Sequence, residues 1–256
     1  MRIGIIGGTG LYELVNSARE ERVATPYGEV SLYHGAHRDL EVAFLPRHGL
    51  GHGLLAHQVN YLANMMALKQ IGVERVLSNS AVGSMNPEMK GGDLVLLDQF
   101  VDFCKRREST YGEISVDMTE PYCRELRSVF LKAAGRLGVS VHPRANYICV
   151  DGPRYETPAE IAVYRQWGMD VVGMTNATEA VLARELGMCY SVLAMVTNLI
   201  GSDPGASPDL KAHKQLVETN RARLAQILLE AVTLVPEEKS CSCEAAYRRA
   251  VAARRG

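Results

Sequence analysis

Short apolar runs alternate along this chain with segments of helical periodicity. The runs end in Gly, Ser, Thr or Asn, and most helical segments end at a glycine. The pattern predicts strands at 2–6, 30–34, 40–45, 75–77 and 147–150, a further apolar run at 94–100, and helices at 59–71, 125–137, 160–167, 179–186 and 209–234. It therefore favours a single α/β domain at 1–236, a central mixed β-sheet flanked by helices, followed by a polar tail at 237–256.

Two loops near the N-terminus have the composition of an anion site. The first strand runs into a glycine-rich turn, where backbone amides and the Thr9 hydroxyl can approach an anion. The loop at 46–52 holds Arg47, a forked and always charged donor, and His48 between glycines. Ser80 adds a second hydroxyl after a buried strand. A plain glycine turn and solvated basic surface are the alternative interpretations.

Polar side chains end three later apolar segments, at 150–160, 170–180 and 192–203. In α/β proteins, site residues lie where strands stop and loops begin. Core packing is the alternative for the aromatic and methionine side chains, a solvated charge for the glutamate, and a turn for the asparagine. The site candidates are the side chains at the ends of these three segments.

Composition narrows the class of ligand. The chain has 256 residues, 47% hydrophobic and 22% charged, with a net charge of -1. Such a balance gives no electrostatic reason to bind nucleic acid or an anionic membrane. Because we find neither a signal peptide nor a spanning segment, we expect a soluble, cytoplasmic protein that binds small molecules. The polar loop at 105–115 could serve as a lid or a subunit contact.

Six cysteines are too few and too scattered for a disulfide framework. Four of them fit core or near-core positions. Cys241 and Cys243 differ, since they stand in the polar tail, where a redox pair and a tail without function are both consistent with the sequence. Zinc is not expected, because no second pair of cysteines or histidines stands nearby at ligand spacing.

Nine motifs in a fixed order carry a family resemblance. They are I-G-I-I-G-G-T-G-L, P-R-H-G, H-Q-V-N-Y-L-A-N-M-M-A-L-K, N-S-A-V-G-S, G-D-L-V-L-L-D-Q-F, D-G-P-R-Y-E-T, G-M-T, E-A-V-L-A-R-E-L-G and V-T-N. Together they resemble the trimeric purine nucleoside phosphorylase and methylthioadenosine phosphorylase family over about residues 2–236. The resemblance implies a phosphorylase/hydrolase-like fold and a homotrimer or hexamer.

The family likeness also implies a reaction: inorganic phosphate, a co-substrate, displaces the base from a purine nucleoside without a metal or other cofactor. The base is expected to stack on Tyr155, and Met174 to contact the ribose. Carried over position by position, the implied phosphate site consists of Thr9, Arg47, His48, Ser80, Ala81 and Thr175.

Base choice depends on the catalytic candidates Asn198 and Glu156. The resemblance assigns both to relatives acting on 6-oxopurines, because an amide donates to the ring nitrogen and the 6-oxygen while a carboxylate accepts from the protonated ring nitrogen. His213 falls near a histidine that such relatives place at the sugar 5-hydroxyl. Inosine, guanosine and methylthioinosine are the expected substrates. Methylthioadenosine, or purine binding without catalysis, are the alternatives, and the glycine turn lacks dinucleotide spacing.

Overall fold

The computed structural model describes residues 2–7, 18–51, 53–200 and 210–255, and these contain ten strands and six α-helices. The strands are β1 (Arg2–Gly7), β2 (Arg19–Thr25), β3 (Gly28–His37), β4 (Leu40–Pro46), β5 (Val73–Ser84), β6 (Leu94–Leu96), β7 (Gln99–Asp102), β8 (Asn146–Cys149), β9 (Val171–Gly173) and β10 (Cys189–Leu199). The helices are α1 (Tyr61–Gln70), α2 (Arg124–Arg136), α3 (Pro158–Gln166), α4 (Asn176–Glu185), α5 (Leu210–Leu234) and α6 (Cys243–Arg255).

All ten strands belong to one mixed sheet, which confirms the predicted fold class. Strand β5 lies at its centre, paired in parallel with β1 and with β10. Strand β1 also pairs in parallel with β4, so the carboxyl ends of β4, β1, β5 and β10 point the same way. Antiparallel pairing joins β2 to β3, β3 to β4, β5 to β9 and β6 to β10. The carboxyl ends of four parallel strands thus face the same side of the molecule.

Strand β10 shows why helices cover both faces of the sheet. Successive side chains of a strand point to opposite faces. Alternate residues of β10 accordingly join two different buried clusters, one containing residues of α1 and α4 and the other containing residues of α2 and α5. A strand buried on both faces reads as a continuous apolar run. Among the described residues, no helix has the length and apolar character required to cross a membrane.

The polar loop at 105–115 is fastened to the helices beneath it. Arg107 donates through Nε to the Thr178 hydroxyl at 3.0 Å, and the Tyr111 amide donates to the Glu185 carboxylate at 2.7 Å. Both partners belong to α4, which is buried along most of its length. These bonds hold the loop in place and are not what a lid that opens freely would show.

The segment after Pro236 is more ordered than a polar tail. Helix α6 occupies most of it, and Cys243, Ala246 and Ala250 are buried. Tyr247 packs on Gly187, where an added Cβ would stand 2.8 Å from the ring. Cys243, predicted to lie in a polar tail, is therefore a core residue. Position 236 as a domain boundary stays a prediction.

Candidate active site at the carboxyl ends of the parallel strands

The loops after β1 and β4 begin side by side. Gly7, the last residue of β1, is in register with Pro46, the last residue of β4. The Arg47 amide donates to the Gly7 carbonyl at 3.0 Å, which joins the two strand ends. The basic loop therefore starts where the glycine-rich turn starts. Thr9, predicted in that turn, lies outside the described residues.

Ser80 and Ala81 belong to β5 itself, because that strand continues to Ser84 instead of ending in a turn. They stand beside Ala194 and Met195 of β10. The Ser80 side chain is buried, and its Oγ has no hydrogen-bond partner among the described residues. Since a buried hydroxyl without a partner is unfavourable, this group is available to a ligand bound at the edge.

Arg47 forms a buried ion pair with Glu179 of α4. Both residues are 2% exposed. Nε and Nη2 of Arg47 donate to the two carboxylate oxygens of Glu179, the latter at 2.8 Å. The other Nη2 hydrogen goes to the Ser78 hydroxyl at 2.7 Å, and Nη1 donates to the Asn79 carbonyl at 2.9 Å. The bidentate fork of Arg47 is consequently used within the protein.

This pairing changes what Arg47 offers an anion. Burial lowers the pKa of Arg47, but the adjacent Glu179 carboxylate more than offsets this, so the pKa rises and the guanidinium stays charged. Four of its five N–H groups already have partners, so at most one Nη1 hydrogen remains. The sequence-based picture of a free fork facing an anion needs this correction.

His48 follows directly and is also buried. Its Nδ1 lies 2.9 Å from the Leu54 carbonyl, which can only accept, so Nδ1 carries the proton of that bond. The bond fixes the orientation of the ring. The loop that follows His48 also carries Leu50 and Leu54, whose apolar side chains are 56% and 42% exposed.

Helix α4 brings Thr175 to the same edge. Thr175 precedes the first turn, is buried, and makes no side-chain capping bond to its own helix. Its amide donates instead to the Tyr147 hydroxyl at 3.2 Å. Residues four apart share one face of a helix, and Glu179 on that face holds Arg47. A helix N-terminus with backbone donors suits an anion.

Met174 lies beside the loop that follows β8. Strands β8 and β9 are parallel neighbours, with Cys149 opposite Gly173, so the segments after them are adjacent. Gly152 has a φ of +65°, and a Cβ there would collide with the Met174 thioether. A glycine is therefore required for the loop to lie against Met174.

The same loop carries Tyr155 and Glu156, which differ in exposure. Tyr155 is 45% exposed, so it is not core packing. Glu156 is partly buried, and burial raises the pKa of its carboxyl group above the ordinary value of 4.5. A partly desolvated carboxylate at a strand-end loop is a typical feature of a functional site.

Asn198 stands near the end of β10, opposite Gly83 of β5, and is exposed. Its Oδ1 lies 2.9 Å from the Thr197 hydroxyl. Because β5 and β10 are parallel, Asn198 lies towards the same end of the sheet as Ser80, four positions beyond Ala194, the partner of Ser80. His213 belongs to α5, but its side chain is outside the described part of the structure, so its role stays a prediction.

Glu179 is the residue that sequence reasoning missed. It is a charged position inside a helix whose neighbours Ala180, Leu182 and Ala183 are buried. That placement could have indicated a buried partner, since charges are rarely buried unless paired. Nothing local in the sequence identified the partner as Arg47, which lies 132 positions away.

Comparisons with known proteins agree with this geometry. A family model described as the phosphorylase superfamily matches residues 2–233. The 6-oxopurine nucleoside phosphorylase of Pyrococcus furiosus is 48% identical, with 97% of this chain and 98% of that protein covered. The S-methyl-5'-thioadenosine phosphorylase of Thermofilum pendens is 41% identical, with 98% of both covered.

A solved structure extends the likeness to three dimensions. The methylthioadenosine phosphorylase from Schistosoma mansoni in complex with adenine superposes with a TM-score of 0.92 at 30% identity. The match covers 99% of this chain and 98% of that one. Sequence and fold thus point to the same group of proteins.

Proposed function

This chain belongs to the phosphorylase superfamily, and from that premise we propose that it is a purine nucleoside phosphorylase acting on 6-oxopurine nucleosides. The products are the free base and ribose-1-phosphate, or its 5-methylthio analogue, as in purine salvage. One observation carries the proposal: the ends of β1 and β4 and the helix α4 meet beside residues 78–80 of β5, and Asn198 lies on the neighbouring strand β10, four positions beyond the partner of Ser80. The named 6-oxopurine relative supports the base preference.

The proposed chemistry needs few groups. A phosphate oxygen forms a bond to the anomeric carbon as the bond from that carbon to the purine nitrogen breaks, and the bonding electron pair leaves with the base. Positive charge develops on the sugar, where the bound phosphate dianion stabilises it. Negative charge develops on the purine, where Asn198 donates to the five-membered ring. Ser80, Thr175 and His48 hold the phosphate, with Thr9 as a further donor.

Base selection follows from hydrogen-bond polarity. The Asn198 amide can donate to a ring nitrogen and to a 6-oxygen, and an ionised Glu156 can accept from the protonated ring nitrogen of a 6-oxopurine. A 6-aminopurine has the opposite hydrogen-bond polarity at the 6-substituent and at the ring nitrogen that Glu156 contacts. Discrimination between the two classes then arises from unpaired groups in the mismatched complex.

The test is a set of initial rates with and without phosphate on inosine, guanosine, methylthioinosine and methylthioadenosine. We expect phosphate-dependent base release with higher kcat/KM for the 6-oxopurines. Faster turnover of methylthioadenosine would instead assign the alternative substrate, which the Thermofilum and Schistosoma relatives favour. Purine binding without release of base from any nucleoside would overturn the enzymatic proposal.

We also propose that the chain assembles as a homotrimer or hexamer in the cytoplasm. Exposed apolar side chains beside the candidate site support an assembly, namely Leu50, Leu54 and Leu55, which are 56%, 42% and 50% exposed. Clustered exposed apolar groups commonly mark protein contacts. Light scattering coupled to size-exclusion chromatography measures the state, and a monomer at micromolar concentration would contradict it.

A further inference from the structure

Four cysteines from distant parts of the chain converge at the end of the sheet opposite the candidate active site. They are Cys123, Cys189, Cys241 and Cys243. Their sulfur atoms all lie within 4.8 Å of one another, and all four are free thiols. The expectation that no second cysteine pair stands near the tail pair holds along the sequence but fails in three dimensions.

We propose that these four cysteines bind one zinc ion as a tetrathiolate structural site. Structural zinc is tetrahedral, and Cys₄ is one of its common ligand sets. A zinc–sulfur distance of about 2.3 Å gives sulfur–sulfur distances of about 3.8 Å in a tetrahedron. The observed cluster matches this size, with Cys189 and Cys241 3.3 Å apart and the others inside the same limit.

The sheet fixes the first two ligands. Cys123 caps the start of α2, and its amide donates to the Tyr190 carbonyl at 2.8 Å. Tyr190 follows Cys189, the first residue of β10, so this backbone bond holds the two cysteines near each other. Cys189 and Cys123 are 0% and 1% exposed. Half of the site therefore belongs to rigid elements.

Contacts on either side of Cys241 and Cys243 hold the second pair. Before them, the Ser240 amide and hydroxyl donate to the Glu125 carboxylate at 2.7 and 2.5 Å. Glu125 lies in the first turn of α2, close to Cys123. After them, Tyr247 of α6 packs on Gly187, just before β10. Contacts on both sides therefore hold Cys241 and Cys243 against the end of the sheet.

The surrounding charges suit an anionic centre. Four thiolates and one Zn²⁺ sum to a charge of about -2. Arg75 is in register with Cys189 and is 0% exposed, and its Nη2 donates to the Pro236 carbonyl at 2.7 Å. Its Nε and Nη1 have no hydrogen-bond partner within the described residues. The Glu125 carboxylate already lies 3.7 Å from Arg75 Nη2, and the net negative charge of a metal thiolate site beside Cys189 adds to the stabilisation of this buried cation.

The other close thiol pair shows a different arrangement. Cys104 and Cys149 are 3.5 Å apart, with an Asp102 carboxylate oxygen nearby. Arg107 donates to both sulfur atoms, at 2.8 and 3.4 Å. A guanidinium already supplies the positive charge there, so a metal ion is disfavoured. This pair provides a matched control.

The test is metal analysis of the full chain purified in reducing buffer without a metal-binding tag. We expect about one zinc per chain, lost in the double variant Cys241→Ser/Cys243→Ser and retained in the control Cys104→Ser. Should the double variant fail to fold, the wild-type protein gives a second measurement: after chelation, Co²⁺ should restore a tetrahedral, thiolate-bound absorption spectrum.

Three outcomes would overturn the proposal. They are absence of bound metal with no Co²⁺ spectrum, iron in place of zinc, or disulfides among these cysteines in protein kept under reducing buffer. Alkylation with and without reductant, followed by mass spectrometry, detects the disulfides. None of these three outcomes bears on base release, so the zinc site and the proposed activity fail or stand separately.

Discussion

Strands β5 and β10 run side by side through the sheet, and their two ends use polar groups differently. At the amino ends, Arg75 donates to the Pro236 carbonyl and Cys189 contacts Cys241, so both residues hold the C-terminal segment against the sheet. At the carboxyl ends, Ser80 has a buried hydroxyl without a described partner, and Asn198 is exposed. The first arrangement connects parts of the chain, whereas the second leaves donors for a ligand.

The two ends are far apart. Cys189 and Asn198 are nine positions apart on one extended strand, which spans about 30 Å at about 3.3 Å per residue. A perturbation at one end therefore should not reach the chemistry at the other except through global unfolding. The comparison predicts that variants at the amino ends change stability, while variants at the carboxyl ends change kinetics.

The largest expected effect is an exception to this separation of stability from kinetics, because the carboxyl ends also contain the buried Arg47–Glu179 pair. Glu179→Gln leaves a buried guanidinium without its counter-charge. We expect a loss of about 3–5 kcal/mol in the free energy of unfolding, measured by denaturant titration. Activity should fall as well, since Arg47 then loses its position next to the candidate phosphate site.

The same substitution at an exposed pair is the control. Glu113 pairs with Arg254, and the two side chains are 59% and 56% exposed. Glu113→Gln should cost less than about 1 kcal/mol. Equal losses for Glu179→Gln and Glu113→Gln would show that the buried pair does not hold the site together.

Removal of zinc gives the next effect and sharpens the comparison. If free zinc is about 100 times its Kd, its removal costs about 2.7 kcal/mol, which lowers Tm by about 5–10 °C in a chain of this size. The kcat/KM measured well below Tm should not change, because the cysteines lie at the opposite end of β10. Differential scanning calorimetry and initial rates, each with and without chelator, measure the two quantities. A fall in kcat/KM at unchanged Tm would contradict the separation between a structural amino end and a functional carboxyl end of β10.

Asn198→Asp should move substrate preference with little change in stability. A carboxylate accepts where the amide donates, so a 6-aminopurine gains a partner and a 6-oxopurine loses one. We expect the ratio of the two kcat/KM values to shift by about 10²-fold, since each mispaired group costs about 1–3 kcal/mol. Competition between inosine and adenosine, or between their methylthio analogues, measures the ratio. An unchanged ratio would remove Asn198 from base recognition.

Glu156 should give a smaller, pH-dependent effect. Burial disfavours the ionised carboxylate of Glu156 and so raises its pKa above 4.5. The contribution of Glu156 to the free energy of unfolding is therefore greatest below pH 4.5 and is lost as pH rises through the raised pKa. Recognition of a 6-oxopurine needs the ionised form, so nucleoside KM should rise about tenfold per pH unit below that pKa. The rise in nucleoside KM at low pH should disappear in Glu156→Gln. A rise that persists in this variant would come from another titrating group.

The sequence predicted much of the fold because buried elements leave a strong periodic signal. Helices predicted at 59–71 and 125–137 are observed at Tyr61–Gln70 and Arg124–Arg136. Strand β2 was missed because, of its seven residues, only Val23 is buried. An exposed edge strand with charged side chains lacks the apolar alternation that identifies a strand.

The site residues stay a prediction, but parallel strand order accounts for part of their placement. Ser80 and Asn198 lie towards the same end of the sheet because β5 and β10 run in parallel. The Arg47–Glu179 pair and the cysteine cluster could not be predicted in this way, because each joins residues remote in sequence. Local spacing carries no information about which distant element packs against a given side chain.

The smallest effect, at Ser80, separates the two uses of polar groups most sharply. Replacing an unpartnered buried hydroxyl by a methyl group is close to neutral for stability, within about 1 kcal/mol, but removes a donor from bound phosphate. Ser80→Ala should therefore raise the phosphate KM by about 5- to 10-fold, while the free energy of unfolding stays nearly constant.

Ser191 is the matched control. It is also buried, and its hydroxyl has no hydrogen-bond partner in the described structure, but it stands opposite Leu77, away from the candidate site. Ser191→Ala should leave both phosphate KM and stability nearly unchanged. Equal phosphate KM values for the two variants would mean that the Ser80 hydroxyl does not face the anion.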